Sequence, residues 1–221
     1  MRLYLASTSP ARLALLRAAG IEPVLINPQV DEALVVAETE TARGEALQPR
    51  DLVELLARAK AEAAASALLR EPRNGLPLGG LLLGGDSVFV LDGVIYGKPH
   101  TADAARERWE RQRGRTGTLY SGHWLIEIAD GLPGRAIGAV AVAEVTFADD
   151  LDDAELDAYI ATGEPLYVAG AFTIDSLGAP FISSIVGDPS TVVGLSLPTL
   201  RRLVRSLGHE WPTLWNRPGA L

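Results

Sequence analysis

The stretch Leu81-Leu82-Leu83-Gly84-Gly85-Asp86-Ser87-Val88-Phe89-Val90-Leu91-Asp92-Gly93-Val94-Ile95-Tyr96-Gly97-Lys98-Pro99 constrains this chain more than any other. Its two apolar runs are too short and too glycine-flanked for helices and read as strands, and Asp92-Gly93 between apolar residues predicts a tight hairpin. Polar chemistry falls at their ends. Asp86 follows two glycines that let the backbone approach a ligand closely, and Lys98 is held between Gly97 and Pro99. One acid and one base are thus aimed from rigid elements. For either residue alone, a capped turn or a solvated lysine is the ordinary alternative.

With 221 residues, 48% of them apolar, the chain can bury a full core, and its length fits one domain, at most bilobal. The absence of cysteine excludes disulfides, thiolate zinc sites and cysteine nucleophiles, and it suits a reducing compartment. His100, His123 and His209 are scattered without metal-ligand spacing and are expected at the surface or in loops. A net charge of −8 argues against DNA or another nucleic-acid polymer as the main partner, since affinity for phosphate backbones comes from excess Lys and Arg. A small phosphate ester needs only a few local cations and a metal ion. No apolar run approaches a membrane span and the amino terminus has no signal pattern, so a soluble, cytoplasmic protein with no membrane partner is expected.

In chain order, Leu3-Tyr4-Leu5-Ala6 reads as a strand ending at Ser7-Thr8-Ser9-Pro10, followed by a helix from Pro10 to a terminating Gly20, with Ser9 as N-cap. A strand, a Ser/Thr-rich loop and a helix N-terminus make a ready anion site. Arg12 in the first turn opposes the helix dipole, so its presence there calls for another reason, although an exposed arginine on a capped helix is the plain alternative. Pro23 to Ile26 reads as a strand, and Asp31-Glu32 as a loop carboxylate pair that could hold a divalent ion. Residues 33 to 47 show no period and are expected as a loop. Pro49 to Arg70 is a long amphipathic helix with Leu52, Leu55, Leu56, Ala59 and Ala63 on one face and Lys60 at its border, able to bring its ammonium to a cleft. Glu71 to Gly80 reads as a surface loop. Thr101 caps a helix to about Arg113. Strands follow at Leu119 to Ile128 and Ala136 to Phe147, then helices at Asp149 to Thr162 and Leu197 to Leu207. The glycine-dense segment between those helices suggests loops folded against a ligand or another backbone. Residues 1–208 are assigned to one domain and 209–221 to an irregular, Trp-containing tail.

Ser7-Thr8-Ser9-Pro10-Ala11-Arg12, Gly85-Asp86-Ser87, Gly97-Lys98-Pro99, Gly163-Glu164-Pro165, Ala169-Gly170-Ala171-Phe172 and Val192-Val193-Gly194-Leu195 occur in the order and approximate spacing of the Maf family. The chain resembles that family from Leu3 to about Leu207. The resemblance implies an α/β fold like that of inosine triphosphate pyrophosphatases: a twisted, mixed, mostly antiparallel sheet flanked by helices, with two lobes and a central cleft. It implies hydrolysis of nucleoside triphosphates to monophosphate and diphosphate, with non-canonical or modified nucleotides as one possible substrate group, and a divalent cation, Mg2+ or Mn2+. It also implies roles: Asp86 as proton acceptor and metal ligand, Glu32 as a metal-associated acid, and Arg12, Lys60 and Lys98 as cations around the phosphates, with Ser7 and Ser9 adding hydrogen bonds. Lys98 would act in catalysis as well as in binding. This division of labour is coherent, because phosphoryl and nucleotidyl transfer depend mainly on positioning and on cations at the phosphate oxygens.

The sequence departs from the family pattern at Ala11, where an arginine often stands, at Asp175, where members preferring thymidine and uridine triphosphates usually carry Gln, and at Val168, where Lys is common. A carboxylate cannot make the donor contacts of an amide, so the base preference of that group does not carry over. A nucleotide-binding regulator of cell division or septum formation with little turnover is the alternative, with the loss of arginine at position 11 in its favour, and a phosphate-ester hydrolase of another type ranks last. A homodimer is left open.

Overall fold

The computed structural model describes residues 1–70 and 79–217. The loop expected over Glu71 to Gly80 lies outside the described residues up to residue 78, as do the last four residues of the expected tail, and Gly80 already belongs to a strand. Seven strands and seven α-helices occur among the described residues. They are β1 Leu3–Ala6, α1 Pro10–Ala18, β2 Val24–Ile26, α2 Glu32–Arg43, α3 Pro49–Arg70, β3 Gly80–Leu91, β4 Val94–Tyr96, α4 Ala102–Gln112, β5 Thr116–Ala129, β6 Leu132–Phe147, α5 Asp153–Ala161, β7 Ile182–Val186, α6 Pro189–Val193 and α7 Leu197–Ser206.

The strands form one mixed, mostly antiparallel sheet in the order β2-β1-β3-β5-β6-β7, with β4 paired to β3. β1 runs parallel to both β2 and β3, in the register Tyr4↔Val24 and Leu3↔Leu81. The β3–β4 hairpin closes with Leu91 opposite Val94, and Asp92 and Gly93 have φ of 53° and 78°, the left-handed pair that a two-residue turn of this hand requires. Asp130-Gly131 repeats that geometry between β5 and β6, with φ of 52° and 78°, so β6 begins at Leu132, ahead of the expected Ala136. No helix among the described residues is long and apolar enough to cross a membrane.

The chain divides into two compact units, the first made of Met1–Asp86, Gly122–Ala141 and Leu197–Leu221, the second of Ser87–Ser121 and Val142–Ser196. β3, β5 and β6 each contribute residues to both. The first unit buries an aliphatic core in which Ala61, Ala64, Ala65 and Leu68 of α3 meet Tyr4, Leu82, Ile126 and Ile128 of the sheet. The second buries an aromatic core in which Phe89, Trp109, Phe147 and Phe172 meet edge to face, with centroids 4.9 to 5.8 Å apart. Helix α4 is pinned to the glycine-rich segment there: Trp109 Nε1 donates to the Ala171 carbonyl at 2.7 Å and Gln112 Nε2 to that of Gly170 at 2.7 Å. Gly170 has φ of +73°, and a Cβ on it would lie 2.7 to 2.8 Å from the Phe172 and Phe89 rings, so glycine is required on both counts.

Several expectations are corrected. Residues 33 to 47 are not a loop: α2 occupies most of them, capped by Asp31, whose carboxylate accepts from Leu34 N–H at 3.0 Å. This helix buries no side chain completely, so nothing forced a 3.6-residue apolar period on its sequence. The buried face of α3 is rotated from the expected one and runs through Val53, Leu56, Ala57, Lys60, Ala61, Ala64 and Leu68; of the expected residues Leu56 is buried, whereas Leu52, Leu55, Ala59 and Ala63 are half-buried. His123 is fully buried in β5, against the surface position expected for it, with Nδ1 3.3 Å from the Ala139 carbonyl. The 209–217 part of the tail contains a 3-10 turn at Trp211–Leu214, with Leu214 wholly buried.

Candidate functional site

The β1–α1 connection is built by local hydrogen bonds. Ser9, in extended conformation before Pro10, accepts from the Arg12 N–H at 3.4 Å, and Ser7 Oγ accepts from the Ser9 N–H at 3.2 Å. Ser7 Oγ also accepts from Arg12 Nη1 at 3.1 Å. The guanidinium is thereby folded back over its own loop and buried to 8% exposure. Burial pulls Arg12 below its ordinary value, opposed by the charges of Asp86 and Glu32. Those two acids are the reason a cation stands in a first turn that the helix dipole would otherwise disfavour.

Asp86 lies inside the continuous 12-residue strand β3 rather than at a strand end, and Gly84 and Gly85 serve protein packing rather than an open ligand approach. A Cβ on Gly84 would stand 2.1 Å from the Ala57 carbonyl, and one on Gly85 would stand 3.3 Å from Arg12 Nε. The first glycine lets α3 lie backbone-close on β3, and the second makes room for Arg12. Ala57, Lys60, Ala61 and Ala64 share the face of α3 turned to the strand, so Lys60 is delivered to Asp86 from within that face rather than from its border.

Lys60 Nζ donates to Asp86 Oδ1 at 2.6 Å and stands 2.7 Å from Glu32 Oε1. Lys60 and Asp86 are 9% and 8% exposed, whereas the Glu32 side chain keeps half its surface in solvent. Asp31 and Glu32 therefore part company: the first caps α2, and the second joins Asp86 at the ammonium. Burial is the largest influence on Asp86 and holds its carboxyl above the usual range, against the attraction of Lys60 and Arg12. Among the described residues no cluster of three or more His, Asp or Glu side chains could hold a metal. Glu32 and Asp86, two carboxylates that meet at one ammonium, do carry the oxygen donors that suit a hard divalent ion.

Ser7, Ser9, Arg12, Glu32, Lys60 and Asp86 are brought together in the first unit. Lys98 belongs to the second unit, exposed in the turn after β4. The Gly97 carbonyl beside it accepts from the Gly170 N–H at 3.4 Å and from Arg108 Nη1, and the His100 N–H donates to the Leu166 carbonyl at 2.9 Å. His100 has φ of +62°. Ser87 and Ser121 share a hydrogen bond of 2.8 Å, and the buried Ser121 hydroxyl reaches the Thr191 carbonyl at 2.9 Å. That serine pair carried no distinguishing signal in the sequence beyond the Gly-Asp-Ser triplet.

Residues 2–207 match the Maf-like protein family. A nucleoside triphosphate pyrophosphatase of Leifsonia xyli subsp. xyli is 64% identical over 99% of this chain and 99% of its own length. A second protein of that name, from Salinispora tropica, is 48% identical over 98% of this chain and 88% of its own. A third, from Cutibacterium acnes, is 46% identical over 97% and 94%. Similarity on this scale, running through every element that carries Ser7, Arg12, Glu32, Lys60, Asp86 and Lys98, establishes that the chain belongs to the Maf-like protein family.

Proposed function

We propose that this chain is a nucleoside triphosphate pyrophosphatase that hydrolyses its substrate between the α and β phosphorus atoms. The observation that supports this reading is the buried pairing of Lys60 with Asp86, flanked by Glu32 and Arg12. Water attacks the α-phosphorus and the bond to the bridging oxygen breaks. Diphosphate leaves with that bonding pair, and the proton of the attacking water passes to Asp86. A carboxylate held above its usual range is a better base for that transfer than a solvated one. Arg12, Lys60 and Lys98 neutralise the outer phosphates, and Ser7 and Ser9 hydrogen-bond them at the start of α1. Lys98 acts on charge that grows as the bond breaks, and so belongs to catalysis as well as to binding.

Glu32 and Asp86 would hold Mg2+ or Mn2+, since oxygen ligands suit hard cations. Such an ion supplies Lewis-acid stabilisation of the phosphate charge and lowers the pKa of water. Lys60 is well placed to exchange its carboxylate partners for phosphate oxygens when substrate arrives. The lack of cysteine in the chain favours a cytoplasmic setting, and clearance of modified nucleotides fits a specificity that Asp175 leaves open.

Hydrolysis in ¹⁸O-labelled water tests the bond that is cut. The label is expected in the nucleoside monophosphate, beside unlabelled diphosphate, with turnover lost in excess chelator and restored by magnesium or manganese. Labelled inorganic phosphate beside a nucleoside diphosphate would overturn the assignment of the cations. Binding without any product would favour the regulatory alternative that Ala11 leaves room for. Full activity in chelator would remove the metal.

A further inference from the structure

Glu164 takes no part in the chemistry described above, yet its carboxylate collects five donors. Oε1 accepts from Thr173 Oγ1 at 2.5 Å, Tyr159 Oη at 3.1 Å and the Gly178 N–H at 3.1 Å, while Oε2 accepts from Ser176 Oγ at 2.6 Å and the Leu177 N–H at 3.3 Å. The residue opens a 3-10 turn at Glu164–Tyr167, entered through Gly163 at φ +77°. Downstream, the same short segment supplies the two backbone groups that hold the Lys98 turn from either side: the Leu166 carbonyl takes the His100 N–H, and the Gly170 N–H takes the Gly97 carbonyl. Lys98 is exposed, and its neighbour His100 sits in a left-handed conformation that a non-glycine residue keeps only where the surroundings enforce it.

We propose that Glu164 is a positioning residue for Lys98. By tying residues 159 and 173–178 to the start of the 164–170 segment, it fixes the two anchor points of the Gly97–His100 turn and so sets where the lysine ammonium meets the substrate. This rests on the reading of Lys98 as a phosphate-binding, rate-enhancing cation. A side chain that long cannot keep one place from an unanchored turn, and small displacements of a charge acting on a transition state are costly.

The test is a double-mutant cycle on steady-state turnover. Glu164→Gln keeps the volume but presents an NH2 to one set of donors. It is expected to lower kcat roughly 10- to 100-fold with KM within about twofold, because misplacement by an ångström has effects of that size. Lys98→Ala lowers kcat by itself, and adding Glu164→Gln to it is expected to cost less than about twofold more, since the lysine has already gone. Thr173→Val, which removes a single donor, gives a milder form of the same pattern should Glu164→Gln fold poorly, and thermal unfolding of each variant reports folding directly. Equal losses from Glu164→Gln in both backgrounds, or no loss in either, overturn the proposal while leaving Lys98 its role. A wild-type kcat for Lys98→Ala overturns the reading of Lys98 and this proposal together.

Discussion

Asp86 in the first unit and Glu164 in the second are carboxylates held by opposite surroundings, the first buried and the second half-buried. Asp86 meets full charges: Lys60 at 2.6 Å and the buried guanidinium of Arg12 nearby, with Glu32 sharing the ammonium. Burial nevertheless prevails and its carboxyl is held above the usual range. Glu164 meets only neutral donors, three hydroxyls and two backbone N–H groups, yet although burial pushes it up, the hydrogen bonds from Ser176, Thr173, Leu177 and Gly178 hold it below the usual range. The difference follows burial: Asp86 is almost wholly withdrawn from water, so desolvation outweighs its cations, whereas Glu164 is only partly buried and its hydrogen bonds outweigh the smaller desolvation. On the proposed reading, the first arrangement would keep a base ready to take a proton, and the second would keep a loop in place.

The contrast breaks most visibly at Asp86. Asp86→Asn is expected to lower kcat by about 10²- to 10⁴-fold, the usual worth of a positioned general base, without lowering the thermal midpoint of the unliganded protein. Diphosphate release and a melting curve on the same sample check both halves. A fall in midpoint that accounts for the lost activity would mean that Asp86 is structural.

Glu164→Leu is expected to do the reverse in stability. It removes the acceptor of the Leu177 N–H, while the Gly178 N–H keeps Thr173 Oγ1 at 3.2 Å, at a cost of about 1–3 kcal/mol for a donor left dry, which lowers the midpoint by about 2–4 °C per kcal/mol in a chain of this size. Denaturant titration measures the difference. An unchanged unfolding free energy would show that water serves that donor as well as the carboxylate does.

Smaller, and opposite in sign, are the pH dependences. With its folded pKa raised, Asp86 contributes stability below its unfolded value, and the contribution is lost as pH rises through the folded value. Glu164, with its folded pKa lowered, contributes stability above its unfolded value that is lost as pH falls through the folded one. In chelator and without nucleotide, Asp86→Asn should therefore flatten the decline of stability on the neutral side and Glu164→Gln the decline on the acid side. Chemical denaturation at a series of pH values, read as the slope of unfolding free energy, would sharpen the comparison, and identical slopes in both variants would dissolve it.

What the sequence made legible follows how local each signal is. Ser9 caps α1, Thr101 caps α4 and Asp92-Gly93 turns β3 into β4 through residues a few positions apart, so each could be read directly. α2 escaped notice because it buries no side chain completely and its cap, Asp31, looked like half of a metal-binding pair. The residues of the site were legible as a set only through the ordered motifs, since no spacing rule links Arg12, Glu32, Lys60 and Asp86. Their meeting depends on Gly84 admitting α3 and Gly85 admitting Arg12, both long-range packing facts. Glu164 was visible within Gly163-Glu164-Pro165, but its donors lie on both sides of it, from Tyr159 to Gly178, with no period to connect them.

The register that sets Leu3 beside Leu81 also has a consequence in time. The β3–β4 hairpin closes across two residues and can form early, whereas the parallel pairing of β1 with β3 must gather chain segments 78 positions apart, and the loop entropy of that search is lost before any contact repays it. Arg12 hangs from the end of β1, and Asp86 lies just beyond the paired stretch of β3. On refolding, helix and hairpin signals are therefore expected before diphosphate release returns, so that catalytic competence would mark the last long-range pairing rather than the first local one.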